Sequence, residues 1–126
     1  MSNRLMVGLA LSLIFSQVVS ADDNRADGDQ LAECYGVYDA LVGLGEAGKL
    51  PADEKTGFEG KRSRAEAKAL AQYRSEGLDT DNARGQLEGR AEYMRDELRD
   101  LHEGSGIYSA DDMKTMAAAC DPIIAP

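Results

Sequence analysis

Two cysteines, Cys34 and Cys120, stand far apart in the chain, and each belongs to an apolar stripe at helical spacing. Around the first, Leu31, Cys34, Tyr35, Tyr38, Leu41 and Val42 recur at intervals of three and four. That spacing places them on one face of a helix that must be buried against something. Around the second, Met113, Met116, Ala117 and Cys120 share a face in the same way. With only two thiols there is one intramolecular pairing, and it ties the first helix to the last. Two buried free thiols or an intermolecular bridge are the alternatives. A bridge enclosing roughly 87 residues restricts the unfolded chain by about 4–5 kcal/mol, which is comparable to the whole stability of a small domain.

The N-terminus bears on whether that bridge forms. Arg4 precedes a mostly apolar run from Leu5 to Phe15, and Val19-Ser20-Ala21 follows with small residues at the end. This is the pattern of a cleavable signal peptide over residues 1–21. The run is interrupted by Ser12, Ser16 and Gln17 and falls short of the roughly 20 apolar residues of a spanning helix. No cysteine stands at the cleavage point to carry a lipid anchor. Export to the periplasm or beyond places the two thiols where disulfides persist.

Removing residues 1–21 leaves 105 of the 126 residues, the size of one domain. It also takes away Arg4, moving the formal net charge from −9 to −10. Such a chain is repelled by nucleic acid and by anionic lipid, and no basic stripe with interleaved aromatics overrides that field. The expected partner is therefore a protein, with a cationic one favoured electrostatically. No membrane association is expected after cleavage, and the expected state is a monomer or weak dimer.

Along the chain, residues 22–28 read as a disordered acidic leader, residues 29–122 as a single helical domain and residues 123–126 as a tail. Asp27 with Gln30 is a capping arrangement, with Asp29 competing. The first helix then runs to Val42, where glycines at 43, 45 and 48 and Pro51 supply its stop. Gly36, inside it, marks a close approach by another helix. Residues 43–60 hold five glycines and form the one long connection, with room for a turn of helix after Pro51 and with Phe58 pinned to the core.

The second helix is expected over about 60–75, starting at Thr56 with Glu59 or at Ser63 with Glu66. Ala65, Ala69 and Tyr73 line one strip of it. Lys61, Arg62, Arg64, Lys68 and Arg74 gather positive charge there, either as an anion or acidic-partner site or as a solvated face paired with acidic neighbours. The third helix opens at Asp79-Thr80-Asp81 and carries the seam Ala83, Leu87, Ala91, Met94, Leu98 and Leu101 until Gly104-Ser105-Gly106. Ser109 with Asp112 opens the fourth as a capping box, Tyr108 packs on Met113 as a staple, and Pro122 ends it. No strand-like alternation appears. The fold expected is all-α, an irregular four-helix bundle closed by one disulfide between the first and last helices.

Chemistry is harder to find. A calcium loop begun at Asp79 places Ala83 at a ligand position, Arg84 at the turn glycine and Arg90 at the bidentate glutamate, and one begun at Asp23 ends on Cys34. His102 is the sole histidine, without a partner for zinc or a nucleophile in register; near a helix C-terminus it suits the helix dipole. Carboxylates are plentiful, but no pair is marked for acid–base work. Catalytic, cofactor-binding and metal residues are accordingly none. Tyr35, Tyr38, Tyr73, Met94, Met113 and Met116 remain as the lining of an apolar pocket or, at helical spacing, as core.

The function expected is non-catalytic binding of another protein by an exported chain, of inhibitor, immunity or adaptor type. A periplasmic stress chaperone is an alternative by general design alone, and a small-ligand carrier or enzyme of unknown reaction is another.

Overall fold

The computed structural model describes residues 26–99 and 109–126, so the expected signal peptide, most of the acidic leader, Leu101, His102, the 104–106 stop and the Tyr108 staple lie outside the described residues. Four helices pack together: α1 (Gly28–Glu46), α2 (Ala52–Ser75), α3 (Thr80–Arg99) and α4 (Ala110–Ile124). The fold is all-α, and Cys34–Cys120 joins the first and last helices with a Cα–Cα distance of 5.7 Å.

The centre of the fold is α1. It packs on each of the other three helices, while α2 also meets α3 and α4. With neighbours on several sides its buried set exceeds the expected stripe: Ala32, Gly36 and Val37 are enclosed along with Leu31, Cys34, Tyr38, Leu41 and Val42, and Tyr35 is only half-buried. Its start is the Asp27–Gln30 capping box, in which each side chain accepts from the other residue's backbone N–H. A further orphan donor of the first turn, Gly28 N–H, reaches Glu76 Oε2 beyond the end of α2 at 2.9 Å.

The largest departure from the sequence reading is the connection. It is not 43–60 but the five residues 47–51, because α1 continues through Gly43 and Gly45 and α2 begins at Ala52. Gly45 is needed for packing: a Cβ there would lie 2.7 Å from Lys55 Cβ, so the end of α1 and the first turn of α2 cross closely. The stop belongs to Gly48, at φ +80°, a conformation that favours glycine. Lys49 N–H then reaches back to the Leu44 carbonyl at 2.8 Å.

Neither Thr56 nor Ser63 caps α2. Pro51 does so, its fixed φ placing it just outside the helix while its carbonyl accepts from Lys55. The second helix buries Ala65, Ala69 and Tyr73 as spaced, and Gly77, at φ +108°, ends its run. In α3, Asp79 Oδ1 accepts from Asn82 N–H at 2.8 Å, and the seam Ala83, Leu87, Ala91 and Leu98 is buried, with Met94 partly so.

Ser109 and Asp112 form their capping box at the start of α4. Pro122 does not end that helix, which continues to Ile124. Proline removes one backbone donor and crowds the preceding turn, but here it sits in the final turn. The continuation places Ile124 in the core at 1% exposure, a burial worth about 2 kcal/mol.

Candidate functional site

The tyrosines of the expected pocket are built into the joints between helices. Tyr38 lies one turn after Cys34, and its hydroxyl donates to Asp121 Oδ1 at 2.8 Å, beside Cys120. The other Asp121 oxygen accepts from Lys61 Nζ at 3.1 Å, and that ammonium sits 5.6 Å from the centroid of the Phe58 ring. Phe58 in turn stacks on Tyr38 at 6.3 Å. Burial, and then the accepting carboxylate, push the Tyr38 phenol far above its ordinary range, so it remains a neutral donor.

A second polar joint lies at the start of α1. Tyr73 donates to Asp29 Oδ1 at 2.6 Å, and Gln86 Nε2 approaches the same oxygen at 3.2 Å. Arg90 Nη2 bridges Asp29 and Glu33, 3.4 Å from each. Burial pushes Asp29 up, but the hydrogen bonds from Tyr73 and Gln86 and the charge of Arg90 outweigh it and hold the carboxyl below its ordinary value. Burial wins at Glu33, which lies above its ordinary value although Arg90 opposes.

Along α1, Asp29 and Val42 are separated by about 20 Å. Tyr73 at one end and Met113, which lies beside Val42 in a cleft at the other, therefore do not share a pocket. Met94 Cβ faces Gly36, where a Cβ would come within 2.8 Å of it. Tyr35 is half-buried and Met116 packs at the edge of the core. The six candidate residues are thus distributed through the core and its edges.

A cleft of about 330 Å³ does open at the C-terminal half of α1. Val42, Leu44, Leu98 and Met113 supply its apolar lining. Asp39, only 19% exposed at its side chain, holds two arginines from different helices: Arg62 Nη1 at 2.6 Å from α2 and Arg95 Nη1 at 2.8 Å from α3. Arg99, which pairs with Asp96 at 2.8 Å, and Lys49 also line it. Four basic side chains against Asp39 and Glu46 reverse the sign of the chain's charge at this place.

The outward side of α3 has the opposite character. Gly85, Gly89, Tyr93 and Glu97 follow at intervals of four, and Glu88, Glu92 and Asp96 form a parallel line beside them. Tyr93 is 57% exposed, the one large hydrophobic side chain exposed among the described residues. A Cβ at Gly85 or Gly89 would meet nothing within 4 Å. The result is a net acidic face with one aromatic side chain, on which Arg84 approaches Glu88 at 3.7 Å and Arg99 pairs with Asp96 at 2.8 Å.

The sequence reading placed Arg62 in a basic cluster and Arg95 among exposed charge pairs. It missed Asp39, which recruits both, because no local spacing relates a carboxylate on α1 to arginines 23 and 56 positions away. Among the described residues no group of three or more acidic, histidine or cysteine side chains is placed to hold a metal ion, and no helix is long and apolar enough to cross a membrane. Comparison with protein families, curated proteins and solved structures finds no match for this chain.

Proposed function

We propose that this chain is an exported, non-catalytic binding protein that engages a protein partner with a basic surface through the outward face of α3. The observation that carries the reading is Tyr93, exposed at 57% on a face lined by Glu88, Glu92, Asp96 and Glu97. An exposed tyrosine presents a large rigid surface at low entropic cost and is enriched among the residues that dominate binding energy. Acidic neighbours steer a cationic partner toward it and speed the encounter. The rigid helix beneath, anchored by Leu87, Ala91 and Leu98, lets the face bind without reordering. The disulfide that closes the bundle supports the exported part of this reading, since such bridges persist in oxidising compartments.

The test is capture from an envelope and secreted-protein extract of the source cells on immobilised oxidised protein, comparing wild type with Tyr93→Ala and with Glu92→Lys. One partner, retained in stoichiometric amount by wild type and weakened about tenfold or more by Tyr93→Ala, is the expected result. Glu92→Lys should slow association and reduce its salt dependence. Equal capture by wild type and both variants rules out this face.

A further inference from the structure

We infer that the cleft between α1, α2, α3 and α4 is a binding site for a small anion with an apolar tail, its charged head held by Arg62 and Arg95 and its tail lying on Leu44, Leu98 and Met113. The site goes beyond the proposed partner-binding face and uses none of the residues that carry that reading.

The head-group end is organised before any ligand arrives. Asp39 engages one terminal nitrogen of Arg62 and one of Arg95, which orients both guanidiniums. Each guanidinium carries five N–H donors, so both keep donors for a second anion. Asp39 balances only one of the two arginine charges, and Lys49, which has no ion-pair partner among the described residues, is set against Glu46, so the lining keeps a net positive charge. The arginine side chains are about one-third exposed, at 32% and 33%, so an anion meets them where solvent screening is reduced. Planar guanidinium donors suit the oxygens of a carboxylate or a phosphate monoester.

The tail end follows from the lining. Its apolar side chains come from α1, α3 and α4, so the depression forms only where the helices meet. Pockets for small molecules commonly combine apolar walls with a few convergent polar groups, at volumes from about 300 Å³ upward. At about 330 Å³ the cleft stands at the lower end of that range, the scale of a short-chain ligand. Octanoate is of that size. A bare inorganic anion leaves the apolar floor uncovered, and a neutral chain leaves the arginine donors unused.

The experiment titrates oxidised protein with octanoate, followed by calorimetry and by amide and arginine side-chain NMR shifts, with monooctyl phosphate, acetate and octanol in parallel. Saturable one-to-one binding of octanoate or of octyl phosphate is expected, with shifts centred on Gly43, Leu44, Arg62 and Arg95. The stronger of the two names the head group. Acetate and octanol should each bind at least about tenfold more weakly, since each lacks one half of the recognition. Arg62→Gln and Arg95→Gln should each weaken binding about tenfold.

Gly43→Phe provides the second variant. Gly43 lines the cleft and a Cβ there meets nothing within 4 Å, so a ring introduced at this position has the open space of the cleft to fill and displaces no ion pair. It should abolish octanoate binding in a protein that remains folded by circular dichroism. Octanol binding as tightly as octanoate, shifts scattered away from the cleft, or undiminished binding by Gly43→Phe overturns the assignment.

Discussion

The α4 side of α1 and its α3 side are held by different physics. Toward α4 the contacts are covalent and largely enclosed: the Cys34–Cys120 bridge, with Tyr38 one turn on, donating to Asp121. Toward α3 they are steric and ionic: Gly36 lies against Met94 and Ala91, and the flanking pairs are Asp29 and Glu33 with Arg90, and Asp39 with Arg95. The first joint answers to redox conditions. The second answers to pH and to the volume of one residue. A helix enclosed by three partners can be secured differently on each side, and the α3 side contains Arg95, which also lines the cleft.

Removal of the bridge has the largest expected effect. Replacing Cys34 and Cys120 together by serine should cost about 4–5 kcal/mol and lower the melting temperature by roughly 20 °C or more. Thermal unfolding of the variant, and of wild type with excess reductant, checks it. A loss below about 1 kcal/mol would mean that the α3 side alone holds α1 in place.

Next in size is the steric contact. In an open helix, glycine to alanine gains up to about 1 kcal/mol. At Gly36, however, a Cβ would lie 2.8 Å from Met94 Cβ and 3.1 Å from the Ala91 carbonyl oxygen, part of the α3 backbone. Gly36→Ala should therefore destabilise by about 1–2 kcal/mol, whereas Gly89→Ala, on the open face of α3, should stabilise by about 0.5–1 kcal/mol. Urea denaturation of the pair decides it, and equal shifts of one sign would remove the steric account.

The smallest expected effect lies in the ionic contacts at the start of α1. Asp29 is held below its ordinary value of 3.8, so its stabilisation is complete above that unfolded-state value and is lost as pH falls through the lower, folded-state value. Tyr73→Phe removes one of the bonds responsible and should cost about 0.5–1 kcal/mol at pH 7. The difference from wild type should shrink as the pH drops below 3.8. Glu33 has the opposite sign: raised by burial above 4.5, it gives back stability as it protonates on acidification. Stability against pH for wild type and Tyr73→Phe separates the two, and a difference unchanged down to pH 2 would show that the Asp29 charge is not involved.

Much of this architecture was legible in the order of the residues. The seam of α3, the Asp27–Gln30 and Ser109–Asp112 boxes and the pairing of the only two cysteines depend on neighbours along the chain or on elimination. Helical periodicity and capping are local physics, and they hold in any fold that buries the stripe. The connection was misread for the complementary reason. Gly43 and Gly45 look like a stop by composition, yet Gly45 accommodates Lys55 from the next helix, and only Gly48 adopts the left-handed backbone that turns the chain.

Local residue order therefore specifies an all-helical chain with defined helix faces, mostly clear starts and one possible cross-link. The tertiary structure decided which charges meet. Asp39 could have faced solvent as one acid among 23, but the packing of α2 and α3 on α1 brings Arg62 and Arg95 to it and leaves an apolar hollow beside them. That outcome depends on how three helices cross, and crossing is set by the interlocking of side chains from distant segments, for which no local pattern is a substitute.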